Sequence, residues 1–550
     1  MQPVSSGAPS SRLLRGYGPL LAFVVVFLLI AILVPTADRP VVTRDVASGA
    51  SGGGVLGTQT ESGDASTGGA SDASGGGGTA AGGGTTAKKG ALPPGVKGSC
   101  PDRTKQVPND PYSPPCISFS GSNGGATTKG VTGDTILVSA RITNDPGFQQ
   151  ALAQVAGAQI SDTPDDVKRT LLALADYFNK YFQFYGRKIQ IKFFDGKGSS
   201  TTELLGGGQE EAEADAVTAA SEVKAFAEIN ATTAPYHDAL TRRKVMAFGA
   251  PYMSREWMGS RQPYSWSIAT DCSIVTESVA EYSNKKLAHK PAKYAGDNYK
   301  NTTRKIALLA PENPWYQECV NAGVKIANAA NNPPADRIAY KLDLGSMSNQ
   351  ATNVIAKLKS EGITTVVCGC DPVFPIFLTQ KAQEQGYQPE WIVTGTALTD
   401  QDLVGQLYDQ TQWKHAFGIS YLGSPQPLRA SSGYFAYKKV RTDEPAFIVD
   451  IIYYQLYMLA IGLQMAGPNL TPQSFQQGMF NYPVSGQGPA GTWGFGPGHY
   501  TPTQDFREIY YDPTKTSQQN NKQGAYVEPY PGVRYKQGKL PLGDPVAFNG

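Results

Sequence analysis

The six cysteines of this 550-residue chain are its most chemically informative side chains: Cys100, Cys116, Cys272, Cys319, Cys368 and Cys370. An even set outside the cytoplasm reads as disulfides. Cys100 and Cys116 bracket a Pro-rich, helix-poor loop and are expected to pair with each other. The other four allow three connectivities, among which the sequence does not choose. Cys368-Gly-Cys370 has the look of a zinc ligand pair. However, no second cysteine pair has metal spacing, and His237, His289, His415 and His499 lie far apart, so no metal or other cofactor is expected. Enzyme chemistry fares no better. From Thr135 onward, where strands and helices alternate, the chain contains no G-x-S-x-G elbow, no G-x-x-x-x-G-K-[ST] phosphate loop and no H-E-x-x-H. Recognition chemistry remains. The chain has 28 Tyr, enough for a large core and an aromatic-lined cleft.

The elements that must position such residues alternate. From Thr135 onward, short apolar runs interleave with longer helical patterns. Ile136 to Ile142 reads as a strand. Pro164 to Phe184 has helical spacing, with Leu171, Leu172, Ala175, Phe178 and Phe182 on one face. Lys188 to Phe194, Phe226 to Ile229 and Val245 to Phe248 are further strands, with a helix over Glu210 to Lys224. The pattern then restarts with a helix over Ile274 to Lys286. Strands follow at Lys305 to Leu309, Arg337 to Lys341, Thr364 to Cys368 and Trp391 to Thr394. Helices separate them at Trp315 to Ala329, Asn349 to Ser360 and Val373 to Gln385. Such βαβα order argues for two consecutive parallel sheets with helices on both faces. Open parallel sheets bind ligands outside the carboxyl ends of their strands, so two facing sheets create a cleft. Trp315 lies at such an edge, with Asn313 and Pro314 starting its helix. Asp371-Pro372 is also a common helix N-cap arrangement. Tyr-rich Ile452 to Tyr457 reads as helical core.

The ends of the chain differ from this middle. Leu20 to Val34 is apolar, with Arg12 and Arg15 before it. Pro35-Thr36-Ala37-Asp38 offers no good cleavage site, and no cysteine follows closely enough to carry a lipid. We therefore expect a retained transmembrane signal anchor over 19–36, a cytoplasmic tail over 1–18 and everything else outside the cytoplasm. Residues 37–130 read as a Gly/Ser/Thr-rich linker containing the Cys100/Cys116 loop. Its first 50 or so residues would span about 40 Å as a coil. Residues 513–550 lose periodicity and are expected to be an irregular tail. The formal net charge is +2, which gives no footprint for a nucleic-acid partner.

Several segments, taken in order, resemble a known family. Lys305-Ile-Ala-Leu-Leu-Ala310, then Pro311-Glu-Asn-Pro-Trp-Tyr-Gln317, resembles the second-lobe entry of branched-chain amino-acid binding proteins of the type I periplasmic binding fold. So does Val366-Val367-Cys368-Gly369-Cys370-Asp371-Pro372 before a helix ending at Gly386. Glu222 to Glu228 and Lys244 to Gly249 resemble first-lobe strands. Phe417 to Tyr421 resembles the hinge strand, and Trp493 to Gly498 with Phe506 to Tyr511 the closing segment. The resemblance covers about 131–512. It implies lobe 1 at 131–265 plus 421–500, and lobe 2 at 266–420 plus 501–512.

It further implies a solute-binding protein that captures an amino acid or similar small solute for an ATP-driven (ABC) importer, with permease subunits as partners. A ligand-sensing receptor ectodomain, or a surface protein that keeps the fold without ligand, is the alternative. Carried over residue by residue, the ligand positions are Thr232 and Thr233, without the family's preceding Gly-Pro, and Tyr252 after the next strand. In lobe 2 they are Trp315, matching the family aromatic, and Tyr316, which replaces a glycine. Asp371, placed to meet an ammonium group, and Gly395 with Thr396 complete the set.

Overall fold

The computed structural model describes residues 89–548, apart from 94, 97, 144, 146–161, 297 and 487. The expected anchor, the cytoplasmic tail and the linker up to residue 88 lie outside the described residues. The strands, numbered in chain order, form three sheets. β1 (Gly98–Ser99) and β2 (Ile117–Ser118) make a short antiparallel ladder. The first large sheet is parallel, in the order β4-β3-β5-β6-β7. Its strands are β3 (Thr135–Ile142), β4 (Lys188–Asp195), β5 (Ala227–Ala231), β6 (Met246–Gly249) and β7 (Ser265–Trp266). The second runs β14-β13-β12-β11-β10-β8-β9, with β15 paired to β13. It comprises β8 (Ile306–Pro311), β9 (Asp336–Tyr340), β10 (Thr365–Cys368), β11 (Glu390–Val393) and β12 (Ala416–Ser420). β13 (Asp505–Thr516), β14 (Gln523–Val527) and β15 (Tyr535–Lys536) complete it. β8 to β12 are mutually parallel and β13 to β15 antiparallel. The two-lobed α/β architecture with parallel sheets is as expected.

Local chemistry explains the element ends. β10 and β11 are buried at every position, as strands covered on both faces must be. Thr163 and Asp166 form a capping box at the start of helix Pro164–Tyr181, and Asp271 caps helix Cys272–Tyr282. Gly386, at φ +61°, lies just beyond the end of helix Phe374–Glu384 in a conformation that a Cβ disfavours.

Helix Val449–Ala466 is apolar enough to cross a membrane, but it is a core helix: 83% of it is buried inside lobe 1. Tyr453 and Tyr457 pack their rings on Phe178, and Gln455 donates to the carbonyls of Ile229 and Phe248. The Tyr-rich stretch is thus core, as its pattern indicates. Arg141, on β3, is buried and forms a two-bond pair with Glu203 at 2.8 and 2.9 Å and a contact to Asp215 at 3.1 Å. Its guanidinium also lies 3.7 Å from the centre of the Tyr236 ring. A buried charge is tolerated only when paired this fully.

Two expectations about the ends need correction. Residues 89–130 are not simply linker. Tyr112, Cys116 and Ile117 are buried, and Tyr112 and Val131 belong to the lobe 1 core. The Tyr112 ring lies 4.5 Å from Trp493. A glycine-rich composition hid these few anchors. Nor is 513–550 uniformly irregular. β13 continues to Thr516, β14 and β15 pair with it, and Leu540 and Ala547 are buried in the cluster holding Ile274, Tyr282 and Leu287. Short strands rich in Tyr, Gly and Gln carry little hydrophobic periodicity, so the pattern misses them.

All six cysteines are paired. Cys100 bonds to Cys116, as expected; Cys272 bonds to Cys319 and Cys368 to Cys370.

Candidate ligand cavity

The carboxyl ends of both large sheets face a cleft, and an elongated cavity leads from it into lobe 2. Two helices form its roof: Cys272–Tyr282, which enters lobe 2 after the crossing from lobe 1, and Pro314–Ala329, which follows β8. Both start at the cleft and run away from it, antiparallel to the strands beneath. The floor is the face of β8 and β10 that carries Ile306, Leu308, Ala310 and Val367. Thr394, Thr396 and Gly369 border the cleft end together with Tyr316 and Tyr252, the last contributed by lobe 1. Ser283, Ala327, Asn332 and Pro334 line the far end. The cavity holds about 880 Å³ of empty space, part of it open to solvent.

The roof explains the space. Helix Pro314–Ala329 has a clear apolar face, yet Cys319 is its only buried residue. Tyr316, Val320, Gly323 and Ala327, which should pack on the sheet, look into the cavity and stay half-exposed. The Cys272–Cys319 disulfide, with Cα atoms 5.9 Å apart, ties the two roof helices together. Gly323 lets them touch: a Cβ there would come within 2.8 Å of the Thr276 methyl.

The predicted site residues fall in several places. Tyr252, Tyr316 and Thr396 line the cavity, and Gly395 is next to its wall. Gly395 has φ +74°, and a Cβ on it would lie 3.0 Å from the Tyr421 ring. Trp315 is half-buried and faces the other way, its ring edge 3.5 Å from where a Cβ on Gly206 of lobe 1 would sit. Asn313 beside it reaches the Leu205 carbonyl at 3.4 Å, and Ser254 of lobe 1 donates to Glu318 at 2.6 Å. These contacts hold the lobes against each other. Thr232 is exposed, whereas Thr233 is buried and donates its hydroxyl to Glu203. Asp371 accepts from the Tyr340 hydroxyl and from the N–H groups of Val373 and Phe374, where helix Phe374–Glu384 begins. The stretch 146–161 after β3 lies outside the described residues.

Sequence reasoning missed Val275, Val279, Leu308, Val320, Gly323 and Ala327. Their helical and strand spacing is that of ordinary core. Gly323, a glycine inside a helix, was the one available signal.

The electrostatics of the cavity are those of an uncharged site. Among the described residues, none that lines it carries a charge. Burial raises the Tyr252 pKa, and Asp400 and Tyr316 push it further. Burial likewise raises that of Tyr316, with Asp371 adding to it. Both hydroxyls therefore stay protonated and can donate or accept hydrogen bonds. Asp371 and Asp400, the nearest carboxyls to act on them, are themselves raised by burial. Tyr252, at φ +59°, faces Ala397 and Leu398, at φ +49° and +65°. Left-handed residues other than glycine on both sides of a cleft mark strain held in place by surrounding structure.

Residues 157–513 match the family described as "Periplasmic binding protein". No curated protein sequence matches the chain. Among solved structures, the fold is similar to a fatty acid ABC transporter substrate-binding protein from Thermomonospora curvata (TM-score 0.52, 15% identity, 78% of this chain and 100% of that one). It is also similar to an R. palustris ABC transporter solute-binding protein in complex with 4-hydroxybenzoate (0.51, 13%, 74% and 98%). A third likeness is to the leucine-, isoleucine-, valine-, threonine- and alanine-binding protein from Brucella ovis in its closed conformation (0.51, 13%, 75% and 100%).

Proposed function

Because the chain belongs to the periplasmic binding protein family, we propose that it captures a small solute between its lobes, outside the cytoplasm, for an ABC importer. It is a binding protein, not an enzyme. The observation that carries the reading is the cavity. It opens at the carboxyl ends of parallel strands, takes residues from both lobes and is lined mainly by apolar side chains with a few hydroxyls, as small-molecule sites are. Residues 19–36 anchor the domain to the membrane in this proposal, and permease subunits receive the loaded form.

Fatty acid, hydroxybenzoate and aliphatic amino acids are the solutes named for structures of this fold. An amino acid remains the solute implied by the branched-chain resemblance. The geometry favours the apolar part of such molecules over their charges. Asp371 is engaged by Tyr340 and by two backbone N–H groups, and no cation lines the cavity among the described residues. Tyr252, Tyr316 and Thr396 are proposed as the polar contacts. The test is a thermal-shift screen of the extracytoplasmic domain against aliphatic amino acids, hydroxybenzoates and aliphatic alcohols and acids, with calorimetry on hits. Saturable binding that weakens in Tyr316→Ala supports the reading. A folded protein that binds none of these classes overturns it.

A further inference from the structure

We infer that the solute carries an unbranched aliphatic tail, held under the two roof helices of lobe 2 and against the β8 and β10 face, with an uncharged hydroxyl-bearing head at the cleft. This rests on the solute-capture reading and deepens it.

From Tyr316 at the cleft to Ala327 at the far end the helix advances 11 residues, about 16 Å at 1.5 Å per residue. That is the length of a medium-chain alkyl group. The width is set by the disulfide and by the Gly323–Thr276 contact, which hold the roof together so that it does not collapse onto the sheet. The lining over that length is Val275, Val279, Leu308, Val320, Ala327 and Val367. A hydrocarbon tail gives the half-exposed Val279, Leu308, Val320 and Ala327 the burial they lack, at about 25 cal/mol per Å² of apolar surface removed from water. A compact polar solute would leave them in contact with water.

The head follows from charge. At the cleft end the groups offered are the hydroxyls of Tyr252, Tyr316 and Thr396. The carboxyls acting on the two tyrosines are Asp400 and Asp371; Arg507 and Arg534 act on Asp400 from its other neighbours and do not line the cavity. A carboxylate or phosphate head would meet no cation among the described lining residues and two carboxyls behind it, and an isolated buried anion is costly. A hydroxyl or carbonyl head can exchange hydrogen bonds with all three side chains.

The test is a titration series of linear 1-alkanols, from butanol to dodecanol, on the intact extracytoplasmic domain, with the matching alkanoic acids at neutral pH in parallel. Each added methylene should tighten binding about fourfold until the cavity is full, and each acid should bind more weakly than its alcohol. Ala327→Phe, at the far end, should block it and move the plateau to a shorter chain while short alcohols bind as before. Ala329→Phe, on the exposed side of the same helix, should leave the series unchanged and report on folding. Affinity that does not depend on chain length, or an unshifted plateau in folded Ala327→Phe, overturns the tail. Acids binding as well as alcohols overturn the uncharged head. If the solute screen yields a compact polar ligand instead, the tail fails and the capture function stands. If nothing binds, both fail.

Discussion

Tyr112 offers a direct measure of whether the segment before β3 belongs to the folded domain. Its side chain is 2% exposed in the lobe 1 core. The hydroxyl donates to the Gly491 carbonyl at 2.8 Å and accepts from the Ala490 N–H at 2.6 Å. The ring lies 4.5 Å from Trp493 and meets Tyr454 and Tyr457 edge-on at 6.1 and 6.5 Å. Tyr112→Phe keeps the ring and strands two buried backbone groups, which costs about 1–3 kcal/mol. Tyr112→Ala removes the ring as well and leaves a cavity against Trp493, for a total of about 3–5 kcal/mol. The assay is chemical denaturation of residues 83–550 followed by tryptophan fluorescence, with Phe119→Ala as a control outside the core cluster. Destabilisation of Tyr112→Ala below about 0.5 kcal/mol, the range of unconnected surface changes, would refute the reasoning. It would return residues 89–130 to the status of linker.

Replacing Cys272 and Cys319 together by Ser should lower stability by about 4 kcal/mol in the chain-entropy view, given the sequence separation of 47; denaturation midpoints of the variant check this. His237 is fully buried, and desolvation holds its pKa at about 3, with the Ala231 carbonyl pulling upward. Its unfolded value is about 6.5, so below that pH the unfolded chain takes up the proton and the folded one does not. The stability contributed by neutral His237 is complete above pH 6.5 and falls by about 1.4 kcal/mol per unit as pH drops toward 3. The gap between wild type and His237→Gln should narrow along that slope in denaturation series. Trp315→Ala should weaken solute affinity about tenfold by calorimetry while the ligand-free melting temperature moves little, because the ring braces one lobe on the other at their rim.

The fold was legible where burial imposes a period. β8, β10 and β11 are apolar runs because helices cover both their faces, and each was placed to within a residue or two. Helix Val449–Ala466 was readable as core from its all-round hydrophobicity. β7 was not legible: two residues, Ser265 and Trp266, complete the edge of the lobe 1 sheet, and two residues carry no period. The site was legible at its rim and not in its depth. Tyr252, Tyr316 and Thr396 are polar or aromatic residues directly after strands, an arrangement that stands out. Val320 and Ala327 look like any residues that pack on a sheet. Whether a helix presses down or stands off depends on the disulfide and glycine contact that suspend it, and neither the Cys272–Cys319 pairing nor the Thr276–Gly323 approach can be read along the chain. Asp371 shows the opposite limit: its type suited an ammonium partner, and the hydroxyl of Tyr340, 31 residues away in sequence, engages it instead.

The packing of residues 89–130 against lobe 1 fixes a frame of reference. The chain leading to the N-terminus leaves from that lobe, clasped by the Cys100–Cys116 loop and by Tyr112. If the protein is tethered through its N-terminus, lobe 1 is the stationary jaw and lobe 2 the moving one. Among the described residues, lobe 2 also carries nearly all of the cavity wall, with Tyr252 the one lobe 1 residue at its mouth. Loading then consists of a mobile cup being swung onto a fixed lid, and the surface presented to a permease changes mainly on the side that swings.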